Sequence, residues 1–172
     1  MEKLYDCTED VNEHIENVRY WMRDFANQIT ARAKYHDASK LQPPEKDIFD
    51  VWTPKLKEFK FGSEEYNAAL KQMGEGLLRH YKSNRHHPEH FTNGVEGMSL
   101  TDLIEMFCDW MAAAQAKKGP IDIDYLANRF GLAPQLVEIF VNTMNYTDHW
   151  NSIGGVPVIY FTPENKNREF QE

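Results

Sequence analysis

Apolar residues recur at helical spacing along most of the chain, and this pattern predicts a helical fold. Asp10 and Glu13 have the form of a capping box that opens the first helix, which extends to about residues 34–36. At about 100° per residue, His14 lies about 60° from the centre of the apolar stripe, on the side expected to face the core. The stripe itself consists of Val11, Ile15, Val18, Met22, Phe25 and Ile29.

Two further helices are predicted in the next fifty residues. Pro43 and Pro44 can start a short helix that ends near Trp52. Residues 54–62 are interpreted as a loop, with an extended piece at 59–61. Ser63 caps the following helix, and its apolar stripe continues onto His80 and Asn84. Two polar residues on a buried stripe need partners, because unpaired burial costs about 1–3 kcal/mol each.

The segment from Ser99 to Lys117 is predicted to be the central helix. Ser99 and Asp102 form a second capping box, and the helix that follows is apolar on nearly all sides. Glu105 and Asp109, four residues apart, project together from the remaining face. No Lys or Arg lies three or four residues from Asp109, so its counter-charge is either a metal cation or an arginine from another helix.

The last third of the chain adds two amphipathic helices, at 122–130 and from Pro134 to about Tyr146. Gly131 stops the first of them in the usual capping position. Residues 156–161 favour an extended conformation that can pair with 59–61. The predicted fold is therefore all-α, a compact single domain spanning 1–172 with five to seven helices. Its core covers about 10–146, followed by a C-terminal tail over 147–172 with a minor two-stranded element.

Composition places the chain among ordinary globular proteins. Of its 172 residues, 41% are hydrophobic and 27% charged, and no apolar run approaches the roughly 18 residues that a membrane span needs. The net charge of −8 argues against a protein that binds nucleic acid by neutralising phosphates. Two cysteines, Cys7 and Cys108, cannot build a disulfide framework or a zinc ribbon. We expect a cytoplasmic protein with reduced thiols, so any metal would have nitrogen and oxygen ligands.

Histidines are distributed unevenly, with six of the seven between residues 14 and 90. His36 and Asp37 are adjacent, and Lys40 follows three residues later. An imidazole and a carboxylate are two ligands for a divalent metal, and a lysine can hold a phosphate as a point charge. Taken alone, the doublet is better explained as a surface pair or a structural hydrogen bond, and it is the position of the other histidines and acids that favours a metal site.

A second group of four histidines lies within residues 80–90. Pro88 disfavours a helical His87, so His86 and His87 are placed where the helix ends. The group is interpreted as a metal or phosphate site, with a solvated turn as the alternative. If the helix continued, the six residues from His80 to His86 would span about 9 Å, too far for the two side chains to share one ion. The segment is therefore expected to serve a second ion or the substrate phosphate.

The order of these residues resembles the HD-domain metal-dependent phosphohydrolases, an all-helical superfamily named for its His-Asp pair. Its members use a first histidine, the doublet and a distal aspartate around one metal, and its two-metal members add histidines between doublet and aspartate. His14, His36, Asp37 and Asp109 match the basic set. His80, His86 and His87 stand in place of the additional ligands.

The chain is more specifically similar to a small uncharacterised group encoded in bacterial and phage genomes. Its pattern reads His-Asp-x-Ser-Lys, then His-x-x-x-Asn-x-His-His, then Glu-Met-x-x-Asp-Trp. Here these motifs lie at 36–40, 80–87 and 105–110, and the similarity covers about residues 10–145.

The resemblance implies a phosphohydrolase that acts on a nucleotide, using one or two divalent ions (Mn, Fe, Zn, Co, Ni or Mg) to activate water. Lys40 would hold the phosphate, and Glu105 would relay a proton or orient a ligand histidine. Lys40, Asn84 and Arg85 are the predicted substrate-binding residues. The alternative is a non-catalytic helical binding protein with a structural metal or none. A small-molecule nucleotide is the expected partner, without a membrane or nucleic acid, and a homo-oligomer is left open.

Overall fold

The computed structural model describes residues 5–146. These residues form seven α-helices and no β-strand, which confirms the predicted all-α fold. The helices are α1 (Thr8–Tyr35), α2 (Glu45–Glu58), α3 (Glu64–Met73), α4 (Glu75–Ser83), α5 (Leu100–Ala116), α6 (Ile123–Phe130) and α7 (Pro134–Tyr146). Short 3-10 helices at Ala38–Leu41, Pro88–His90 and Gly94–Gly97 connect them. The strand predicted at 156–161 lies outside the described residues.

The chain divides into two compact units between His36 and Asp37. The first, Met1–His36, contains α1, in which no residue is buried. His14 was expected on a core-facing side, and it is exposed. The second unit, Asp37–Glu172, contains the other six helices of the described residues. A single domain over the whole chain stays a prediction.

The hydrophobic core of the second unit is built on α5, as the sequence predicted. Four of its ten buried residues come from that helix, and the others come from α6, α7 and the segments beside them. Trp110 is 8% exposed and stacks on Phe130, while Phe107 stacks on Phe140 with ring centroids 4.9 Å apart. The Ser99–Asp102 capping box that starts α5 is present. The helix is therefore fixed at both its start and its buried face.

Helices α2, α3 and α4 contact one another beside this core. Helix α2 is longer than predicted, because it passes through Pro54 and ends at Glu58. The predicted continuous helix from Ser63 to Asn84 is interrupted at Gly74, whose backbone (φ 53°, ψ −127°) is accessible to glycine and separates α3 from α4. The predicted burial of His80 is nevertheless confirmed, since it is 1% exposed.

No helix among the described residues is long and apolar enough to cross a membrane.

Candidate metal centre

Asp37 starts the second unit in a left-handed backbone conformation (φ 55°, ψ 14°). Aspartate tolerates this region better than most residues because its short polar side chain can hydrogen-bond locally. The 3-10 helix that follows brings Lys40 back toward it, and the Lys40 Nζ donates to Asp37 Oδ2 at 2.6 Å. The other carboxylate oxygen, Oδ1, lies 3.4 Å from His80 Nε2 and 3.5 Å from His86 Nε2.

The end of α4 brings the remaining histidines to the same place. The helix ends at Ser83, and the chain then turns back. His87 Nε2 consequently lies 2.9 Å from His80 Nε2. The predicted separation of about 9 Å between His80 and His86 assumed a continuing helix, and this prediction is wrong because the helix stops three residues after His80.

Four residues of the second unit therefore converge on one point. Asp37, His80, His86 and His87 each offer a ligand atom, and these atoms all lie within 4.8 Å of one another. Asp37, His86 and Asp109 form a second set that meets the same distance limit. The two sets share Asp37 and His86, so they are adjacent. Imidazoles and carboxylates in this combination suit first-row transition metals.

Two glutamates contact the outer ring nitrogens of two of the three histidines. His80 Nδ1 lies 3.1 Å from Glu45 Oε2, and His86 Nδ1 lies 3.2 Å from Glu105 Oε1. In metal sites, a carboxylate at the outer nitrogen fixes the ring and increases its basicity as a ligand. This position of Glu105 agrees with the predicted orienting role, which stays a prediction as far as activity is concerned.

The surroundings of His80 and His87 favour their neutral forms. Burial lowers the pKa of His80, and the nearby Lys40 lowers it further, against the opposing effect of Asp37 and Glu45. Burial also lowers the pKa of His87, with smaller contributions in the same direction from His86 and His80. Neutral imidazole, with one nitrogen lone pair, is the form that binds a metal.

Four predicted site residues remain, namely His14, His36, Asn84 and Arg85. His14 and His36 belong to the first unit, and His36 directly precedes Asp37 in the chain. Asn84 donates to Ser39 Oγ and to the His80 carbonyl oxygen. Arg85 makes a two-point ion pair with the fully buried Asp102, at 3.1 and 2.9 Å, and its guanidinium lies over the Phe91 ring. Both assignments to substrate binding stay predictions.

Sequence reasoning missed Glu45. It is the first residue of α2 and is buried, although glutamates in a first helical turn are usually exposed. Its contact with His80 spans 35 residues of sequence. No local spacing reveals such a contact. The one signal in the sequence was that His80, if buried, needs a hydrogen-bond partner.

Comparison with known proteins adds a family and no function. Neither a curated protein nor a solved structure matches the chain. One family, described as a family of unknown function (DUF5662), matches residues 3–146, a range that contains all the residues discussed for the cluster. The chain belongs to the family of unknown function DUF5662.

Proposed function

We propose that this protein is a metal-dependent phosphohydrolase that acts on a nucleotide. The observation that carries the proposal is the convergence of Asp37 Oδ1 with the imidazole nitrogens of His80, His86 and His87. Three histidines and a carboxylate gathered within 4.8 Å are a chemically coherent donor set for a transition metal. The carboxylates of Glu45 and Glu105, behind two of the rings, supply the outer contacts that metal-binding histidines commonly have.

The proposed residues divide into a first and a second ligand set. Asp37, His80, His86 and His87 would hold one ion. Asp109 would join Asp37 and His86 around a second one. The His-Asp doublet of the sequence adds His36 to the proposed ligands. His14 enters only through the resemblance to the HD-domain superfamily. A metal bound here would activate a water molecule and neutralise the charge that develops on phosphate oxygens.

Lys40 is the residue proposed to meet the phosphate. Its ammonium is held by Asp37 at 2.6 Å and lies 5.0 Å from the centre of the Phe49 ring. The side chain is 31% exposed, so part of it is accessible to a bound anion. Lysine binds phosphate as a point charge, without the directional demands of arginine. A phosphate that approaches the cluster would therefore find a positive charge one side chain away from the metal ligands.

A nucleotide is proposed because small members of the superfamily that the motifs resemble commonly act on nucleotides. The cluster itself supports hydrolysis of a phosphate ester in general. A structural metal site in a non-catalytic binding protein remains the competing function. The two are separated by whether the metal-loaded protein turns over phosphate esters.

The test is metal analysis of the purified protein joined to a hydrolysis screen over nucleoside mono-, di- and triphosphates and cyclic nucleotides. We expect bound transition metal, phosphate release or ring opening, and loss of both in Asp37→Asn. Asp50→Asn is the matched control, since Asp50 is an exposed acid on α2 paired with Lys46. Bound metal without any turnover would favour the structural site, and full turnover in chelator would exclude the proposal.

A further inference from the structure

A partly buried chain of hydrogen bonds connects the first turn of α2 with His80. Asn84 Nδ2 donates to Ser39 Oγ at 2.8 Å, and Ser39 Oγ donates to Glu45 Oε2 at 2.7 Å. The same Glu45 oxygen lies 3.1 Å from His80 Nδ1. Three elements take part, namely α2, the 3-10 helix at Ala38–Leu41 and the end of α4. The direction of these bonds determines which nitrogen of His80 carries its hydrogen.

The amide of Asn84 has two hydrogens, and both are in use. One points to the His80 carbonyl oxygen at 2.8 Å, and the other to Ser39 Oγ. A carbonyl oxygen can only accept, so the amide nitrogen must face it. Asn84 Nδ2 also lies 2.9 Å from His80 Nδ1, yet it has no third hydrogen to donate there.

The hydroxyl of Ser39 has one hydrogen, which goes to Glu45. It accepts from Asn84, so the chain runs in one direction from amide to hydroxyl to carboxylate. Glu45 Oε2 then faces His80 Nδ1, and a carboxylate only accepts. A neutral imidazole has one hydrogen, and the hydrogen bond at 3.1 Å to Glu45 assigns it to Nδ1, since the nearest carboxylate oxygen to Nε2, Asp37 Oδ1, is farther away at 3.4 Å. His80 Nε2 is left with a lone pair that points toward Asp37 Oδ1 and His87 Nε2.

We propose that Glu45 is a positioning residue which, supported by Ser39 and Asn84, selects the Nδ1–H tautomer of His80 and so makes His80 Nε2 a ligand atom. The tautomer is inferred from the hydrogen bonds, whereas its use as a ligand rests on the proposed function. Ser39 and Asn84 are both motif residues, and this role explains them without a substrate. The chain of hydrogen bonds links a glutamate to a histidine 35 residues away.

The tautomer can be measured directly by nitrogen-15 NMR of the histidine rings in metal-free protein. The resonances of His80 are assigned as those that are missing from the spectrum of His80→Ala. We expect wild-type His80 to be the Nδ1–H form. Glu45→Ala should shift it toward the Nε2–H form, because the acceptor is gone. Glu45→Gln should retain Nδ1–H, because an amide oxygen can accept from both Ser39 and His80. The matched control is Asp50→Ala on the exposed face of α2.

Titration with Co²⁺, followed by its visible absorption, gives the second readout. Glu45→Ala should weaken Co²⁺ binding by about 10–100-fold. A merely structural Glu45 would lower the melting temperature and leave both the tautomer and the Co²⁺ affinity unchanged. Wild-type His80 found as Nε2–H overturns the inference even if no variant folds. Wild-type protein with Nδ1–H but no Co²⁺ binding would instead refute the proposed metal site and leave the tautomer assignment standing.

Discussion

Asp37 combines a demanding backbone with a proposed ligand, and the two can be tested separately. Asparagine also tolerates the left-handed region, whereas an alanine there costs about 1–2 kcal/mol. Asp37→Asn should therefore keep the stability of the metal-free protein and lose metal binding. Asp37→Ala should lose metal binding and should also lower the stability of the metal-free protein. The measurements are chemical denaturation in chelator and Co²⁺ titration. Wild-type affinity in Asp37→Asn would show that Oδ1 is not a ligand atom.

His86 belongs to both proposed ligand sets, and His87 belongs to one. If two ions bind, His86→Ala should lose both, while His87→Ala should lose one and keep the other. Metal content measured per chain distinguishes these results. His90→Ala is a suitable control, since its Nδ1 faces the Tyr81 carbonyl oxygen and it belongs to neither set. Equal metal content in all three variants and wild type would show that this segment is a polar turn.

For single residues, predictions from the sequence succeeded where a residue's environment is determined by its neighbours in the chain. The burial of His80 followed from helical spacing, and the pairing of Ser99 with Asp102 followed from the capping box. Glu45 could not be found, because its partner lies 35 residues away and only tertiary structure brings them together. The separation of His80 and His86 could not be predicted either. The estimate from helical spacing applied only to an unbroken helix, and the chain turns after Ser83.

Among the helices, the contact of α2 with α4 positions Glu45 against His80. Gly76 is buried in this contact, and a Cβ there would lie 2.9 Å from Ile48 Cγ2 and nearer still to its Cδ1. Gly76→Ala should lower the free energy of unfolding by about 1–3 kcal/mol through overpacking. Urea denaturation measures this change.

Gly119→Ala serves as the control for that substitution. Its Cβ would meet no atom closer than the Lys117 carbonyl oxygen at 3.9 Å, so it should be close to neutral. An equal loss of stability in the two variants would contradict the close packing of α2 on α4.

The ion pair of Arg85 with Asp102 anchors the segment after α4 to the start of α5. Arg85→Lys keeps the charge and loses the two-point geometry, so stability should fall by about 1–2 kcal/mol. Denaturation of both proteins measures it, and any hydrolytic turnover should be unchanged. Unchanged stability with weaker substrate binding would instead support the substrate-binding assignment made from the sequence.

Two helix boundaries were predicted well from their caps, whereas the capping box predicted at Asp10 and Glu13 is wrong, because α1 already begins at Thr8 and Cys7 precedes it without a side-chain cap. Gly131 ends α6 in the left-handed conformation, and Ser63 caps α3, both as expected. Pro54 was interpreted as a stop, yet α2 continues through it because contacts with α3 and α4 offset the local cost of about 3 kcal/mol. Gly74 was not recognised as a break, since the apolar stripe continues on both sides of it.

For the molecule as a whole, the proposed metal should stabilise the folded state. At a concentration of about 100 times its dissociation constant, an ion that binds only the native protein adds about 2.7 kcal/mol. The melting temperature should then rise by roughly 5–10 °C with Co²⁺ or Mn²⁺. Mg²⁺ should have much less effect, because three imidazoles suit transition metals. Differential scanning fluorimetry with wild type and Asp37→Asn tests this, and an equal rise in both would locate binding elsewhere.

The all-α class was predictable because the apolar residues recur at helical spacing, and the central position of α5 because that helix is apolar on nearly all sides. The substrate was not predictable, since the described residues show which side chains converge and not what those side chains bind. The division of the chain between His36 and Asp37 left no trace in composition. The first helix carries an apolar stripe like the others, although none of its residues is buried.

The pairing of each outer glutamate with one histidine has a consequence for how this family changes over evolutionary time. Burying a carboxylate is costly unless it has a hydrogen-bond partner. A relative that lacks a histidine at position 80 would keep that cost at position 45 without the compensating contact. Positions 45 and 80 should therefore vary together, as should 105 and 86, each pair independently of the other. A lineage that abandons the pair of positions 45 and 80 should fill position 45 with an apolar side chain of similar volume.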